Sequence, residues 1–160
     1  MIFHRFSLFS VGLLLLVTRP STSGEKVAVD VYARGYFVKN TAKLPGNPAY
    51  LVLQDKKSFD QIFGFGAVMG AKPKLVDEKL FENSLIVTVI KSGNTLWKYE
   101  VEEVRLDKKK LIVSYIAKGA ESATAKYTVP LILSVRRGEF TEVVLKENGK
   151  EVGKIEVKAK

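Results

Sequence analysis

Apolar and polar side chains alternate with a period of two over most of the chain, the pattern of strands that bury one face. Val27, Val29 and Val31 share a face in the run Lys26 to Tyr32. Gly35 breaks the run, and Tyr36-Phe37-Val38 resumes it. Leu44 to Pro48 reads as a turn-rich loop and Tyr50 to Leu53 as a short strand. The period then changes. Phe59, Ile62 and Phe63 lie on one helical face, and Asp55 or Ser58 is placed to cap the first amides, so a short helix is expected near 55–63. Gly64 to Pro73 reads as a loop, and residues 77–83 as one helical turn.

The second half is a succession of strands. Leu85 to Ile90 is apolar on both faces, which predicts a central strand covered on both sides. Ser92 to Asn94 turns the chain into a long strand, Thr95 to Leu106. There Trp97, Tyr99 and Val101 have one parity and Val104 and Leu106 the other. A β-bulge near Glu102-Glu103 would bring all five to one face. Asp107 to Lys110 is the next turn, Leu111 to Ala117 the next strand, and Gly119 to Thr124 a loop. Tyr127 to Val135 holds Pro130, which cannot donate to a ladder and marks a strand start or an edge. Two final strands flank Asn148-Gly149, a two-residue hairpin turn that sets Glu147 opposite Lys150 and Lys146 opposite Glu151. The fold class expected is mainly β, bordering on α+β: a single domain over 24–160, an antiparallel sandwich-like sheet arrangement with one short helix.

The N-terminus has a different character. A short basic head precedes the apolar run Phe6 to Val17, and Arg19-Pro20 ends it. Twelve residues are too few for the ~20 that a membrane-spanning helix needs, and fit a secretory signal peptide. Ser21-Thr22-Ser23 supplies small residues for cleavage after Ser23. The expected signal peptide is therefore 1–23 and the expected location secreted or periplasmic.

That expectation reshapes the chemistry. Of 26 Lys+Arg, one His and no Cys, cleavage removes Arg5, Arg19 and His4. It leaves 24 basic and 17 acidic residues, a formal +7, with neither imidazole nor thiol. Catalysis by Ser-His-Asp or Cys-His within the chain and the usual zinc and copper ligand sets are then excluded. No cofactor or metal is expected, and stability must come from the core; a domain of this size buries about two-thirds of its unfolded surface.

The remaining motifs carry little chemistry. Gly64-Phe-Gly-Ala-Val-Met-Gly70 resembles a dinucleotide loop, but Met69 stands where the third glycine belongs. Lys108-Lys109-Lys110 and Arg136-Arg137 are short charge runs without the dense basic stripe of a nucleic-acid binder. No nucleic-acid partner is expected, and membrane contact only through the signal segment. Trp97 and Tyr99, on one strand face, are the candidate ligand contacts, suited to stacking on a sugar or a peptide; the competing reading places both rings in the core. Glu100, Glu102, Glu103 and Glu121 are the acids that a carboxylate-based hydrolase would have to bring together.

One resemblance adds to this. Leu51 to Phe63 is a strand followed by an aromatic-bearing helix. Val76 to Val89 follows with an acid, an apolar pair and a β run; two long strands come after Gly93, and Pro130 to Val135 carries another. This order resembles the PrcB-type domain, named for an accessory subunit of a bacterial surface protease complex, over residues 50–146. Where that family has a Gly-Gly-Tyr-like segment, this chain has Ser92-Gly-Asn-Thr-Leu-Trp97. The resemblance implies an extracytoplasmic accessory or binding module, with no catalytic residue to carry over. The leading expectation is an exported non-enzymatic domain that binds another envelope or secreted protein. A glycan- or small-ligand-binding domain using Trp97 and Tyr99 is the alternative, and a carboxylate hydrolase the second alternative.

Overall fold

The computed structural model describes residues 24–32, 34–66, 70 and 73–158. The expected signal peptide, 1–23, and part of the glycine-rich segment, 67–69 and 71–72, lie outside the described residues. In chain order the elements are β1 (Glu25–Lys26), β2 (Val29–Val31), β3 (Tyr36–Val38), β4 (Ala49–Leu53), α1 (Lys56–Ile62), β5 (Phe63–Phe65) and α2 (Leu80–Asn83). There follow β6 (Ser84–Gly93), β7 (Thr95–Asp107), β8 (Lys110–Glu121), β9 (Tyr127–Arg136), β10 (Glu142–Glu147) and β11 (Lys150–Glu156). The mainly-β class holds.

Strands β1-β7-β8-β10-β11 form one sheet and β2-β9-β6-β4 a second. Their inner faces enclose the main core. Leu85, Val87 and Val89 of β6 and Leu131, Leu133 and Val135 of β9 pack against Leu111, Val113 and Tyr115 of β8 and Val143 and Leu145 of β10. Full burial of such a side chain stabilises by about 1.5–3 kcal/mol. The other face of β6, with Ile86 and Ile90, joins Ile132 in a second core against Phe59 of α1, Phe63 of β5 and Phe81 of α2. That two-sided burial is why β6 has no polar face. The third layer is completed by β3 and β5, which pair only with each other among the described strands.

Local chemistry explains several details. Asp55 caps α1, its carboxylate accepting from the Ser58 amide at 2.7 Å and the Ser58 hydroxyl at 3.0 Å. Val101 opposes Tyr115 and Glu103 opposes Ser114, so Glu102 is the bulged residue. Trp97, Tyr99, Val101, Val104 and Leu106 consequently all contribute to the main core. The final hairpin turns at Asn148-Gly149, with φ of 50° and 79°, and pairs Glu147 with Lys150 and Lys146 with Glu151. Pro130 opposes Ile90, and β2 covers only Leu133 to Val135, so the proline sits where β9 is an edge.

Four features depart from the sequence pattern. The run Lys26 to Tyr32 is two strands in different sheets: Lys26 pairs with Arg105 on β7, and Val29 with Val135 on β9. Phe63 to Phe65 is a strand, because its outward backbone groups meet Tyr36 to Val38. Strand β8 continues to Glu121, since the long β7 offers partners as far as Thr95 and needs the small Gly119 opposite Trp97. Finally, β10 joins β8 in parallel, the chain having crossed to the other sheet as β9 between them.

Candidate functional site

Two regions gather side chains with binding chemistry. One lies at an end of the main core, where both sequence candidates are found. Strand β7 presents Trp97 and Tyr99 inward, β8 presents Tyr115, β10 ends on Glu147, and β6 brings Lys91 from the opposite sheet. Lys91 Nζ donates to Glu147 Oε1 at 2.6 Å, with side chains only 11% and 15% exposed. The Tyr115 hydroxyl donates to Glu147 Oε2 at 3.0 Å. The same ammonium stands 3.8 Å from the centre of the Trp97 ring. Tyr99 donates to the Val129 carbonyl at 3.2 Å and meets the Tyr115 ring edge-on at 6.1 Å.

The structure thus brings Trp97 and Tyr99 together, but onto internal partners. Burial, reinforced by the Glu147 carboxylate, holds the Tyr99 and Tyr115 phenols far above the usual tyrosine range. Gly119 makes a close approach here: a Cβ would lie 2.4 Å from Thr95 Cγ2 and 3.1 Å from the Trp97 ring, so any larger residue must displace one or both side chains. Beyond Glu147, the Asn148 side chain replaces a peptide group. Its Oδ1 accepts from the Ala117 amide at 3.0 Å and its Nδ2 donates to the Ala117 carbonyl at 3.3 Å, lengthening the β8–β10 ladder by one step. Sequence reasoning missed Lys91, Tyr115 and Glu147. The available signal was a charged residue ending an otherwise apolar strand, in Lys91 after Ile90.

The acids do not converge. Glu100, Glu102 and Glu121 are exposed on different parts of the β7–β8 hairpin, and Glu103 lies 3.8 Å from Arg105. Among the described residues no group of three or more acids could hold a metal ion. Of the basic runs, Arg136 is exposed, whereas Arg137 serves the fold by donating to the Gln54 carbonyl at 2.7 Å and the Phe81 carbonyl at 3.3 Å.

The second region is the β3–β5 ribbon. Its six residues, Tyr36 to Val38 and Phe63 to Phe65, include no charge. Phe37 lies over Gly64 on the outer face and is 50% exposed; Phe65 is 44% exposed and Leu75, beside it, 59%. A groove of about 290 Å³ runs between the ribbon, α1 and the Leu75-Val76 segment. Rings connect its rim to the second core: Phe65 to Tyr36 at 5.2 Å, Tyr36 to Phe59 at 5.3 Å, and Phe59 to Phe81 at 6.3 Å. Tyr36 is fixed by its hydroxyl, which accepts from the Val76 amide at 2.6 Å, and burial raises its pKa. Lys56 and Asp60, paired at 2.6 Å, form the opposite lip. Comparison with family models, curated proteins and solved structures returns no match to the chain.

Proposed function

We propose that this chain is an exported, non-enzymatic binding or accessory domain whose partner is another envelope or secreted protein. The observation that carries the reading is the β3–β5 ribbon, where two rings that would bury well lie half in solvent, Phe37 on its outer face and Phe65 on the rim of a groove. Exposed apolar surface of this kind, joined to a rigid core, is the ordinary form of a protein contact. The leader-like residues 1–23, the absence of His and Cys after them, and the PrcB-like order of elements support the same reading. The glycan reading asks Trp97 for a free ring face, and Lys91 already stands over one.

The test is affinity capture with cross-linking in an envelope or culture-medium fraction, comparing the exported chain with Phe37→Glu. A partner retained by the former and lost by the latter is the expected result. A partner set unchanged by the substitution, or reproducible turnover of a substrate by the exported chain, overturns the proposal.

A further inference from the structure

Two strand ladders of this molecule are lengthened by an asparagine side chain that stands in for a peptide group. Just before β4, Asn47 Nδ2 donates to the Ser92 carbonyl at 2.7 Å and Asn47 Oδ1 accepts from the Ser92 amide at 2.9 Å. Just after β10, Asn148 makes the same pair with Ala117, at 3.3 Å and 3.0 Å, and its own amide donates to the Tyr115 carbonyl at 2.9 Å. Both asparagines are exposed to water. They differ in the residue that follows. Pro48 follows Asn47, and a proline nitrogen carries no hydrogen. Gly149 follows Asn148, and no side chain shields its nitrogen. Asn40, Asn83 and Asn94 precede Thr or Ser, so Asn148 alone stands before glycine.

We infer that Asn148 is a site of spontaneous covalent modification which the closed β8–β10 seam suppresses, so that this residue records the time the chain has spent open. The Gly149 nitrogen attacks Asn148 Cγ and loses its proton, the new N–C bond closes a succinimide ring, and the side-chain amide leaves as ammonia. Water then adds to one of the two ring carbonyls, and ring opening gives aspartate or isoaspartate. The attack requires Cγ to swing onto the Gly149 nitrogen, and groups held out of line react slowly. In the folded chain both ends of the carboxamide are bound to Ala117 on the neighbouring strand, so geometry and not burial withholds it. Asn47 has no such reaction open to it, folded or unfolded, because the Pro48 nitrogen has no proton to lose. The damage falls on the seam. Either product lacks the Nδ2 donor to the Ala117 carbonyl. Isoaspartate also adds a carbon to the main chain of a two-residue turn, which then cannot keep Glu147 opposite Lys150. Glu147, the adjoining residue, is the one that holds Lys91 across the two sheets.

The test incubates the exported chain at neutral pH, folded and in urea above its unfolding transition. Each asparagine is followed by peptide mass mapping, with isoaspartate resolved from aspartate by chromatography. In urea Asn148 should be the first asparagine converted, and in the folded chain its conversion should be at least about tenfold slower. Asn47 should stay intact in both. Gly149→Ala, compared in urea where folding plays no part, should slow conversion of Asn148 by about tenfold, since a methyl group then shields the attacking nitrogen. After removal of urea, chains carrying isoaspartate should unfold at a lower urea concentration than chains that kept Asn148. Equal rates in the folded and unfolded chain, faster conversion of another asparagine in urea, or equal unfolding midpoints of isoaspartate and intact chains would each overturn the inference.

Discussion

The two ends of this molecule treat aromatic side chains in opposite ways. At the Lys91–Glu147 end, rings are placed around a buried ion pair, and Glu147, Tyr115, Tyr99 and Trp97 each have a partner within the chain. At the β3–β5 end, Phe37 and Phe65 stand half in water, and among the described residues no third strand pairs with the ribbon. Polar groups sealed in a low-dielectric interior are rigid because each lost contact is expensive. Rings left in water have no such penalty to avoid and are free to change partners. The first end is built to hold two sheets together; the second has surface to spare.

Replacing Glu147 by Ala attacks the sealed end most directly. It leaves Lys91 nearly buried without its carboxylate, and a loss of about 3–5 kcal/mol is expected in urea unfolding. Lys91→Met combined with Glu147→Leu should recover much of that loss, because the desolvation penalty goes with the charges. A loss no larger than that of an exposed ion pair would mean that the pair is solvated.

Alkali tests the phenols of the same end. Tyr99 and Tyr115 have folded pKa values above their unfolded ones, so the neutral forms stabilise the fold. That contribution is complete below the unfolded pKa near 10 and is lost above it, by up to about 1.4 kcal/mol per pH unit for each tyrosine. Stability should therefore be level in these groups to about pH 9 and fall steeply beyond pH 10. The slope should flatten in the Tyr115→Phe variant.

Smaller effects follow. Gly119→Val drives methyl groups into Thr95 and Trp97 and should cost about 1–3 kcal/mol, with a changed tryptophan emission. Phe37→Ser, at the open end, should change stability by about 0.5 kcal/mol or less while abolishing partner capture. A large loss of stability there would show that the ring serves the fold and would erase the contrast between the two ends.

The legible parts of the fold were those decided by neighbours in sequence. Asp55 with Ser58 caps a helix locally, Asn148-Gly149 supplies two positive φ angles, and the parity change after Val101 marks a bulge without knowledge of the partner strand. Features that depend on distant segments were not legible. Gly119 resembles a loop residue until Trp97 is placed opposite it, and Phe63 to Phe65 becomes a strand only beside Tyr36 to Val38. The site follows the same rule. Trp97 and Tyr99 were recognisable as a pair, but Lys91 and Glu147 lie 56 residues apart and meet only because the sheets face each other.

The parallel seam between β8 and β10 has a consequence for biosynthesis. A chain interrupted before Glu142 would present the whole side of β8 as an unfilled template, with Leu111, Val113 and Tyr115 stripped of Val143 and Leu145. The closing hairpin is therefore what seals the main core: only a product translated past Leu145 covers the side of β8 that carries Leu111, Val113 and Tyr115.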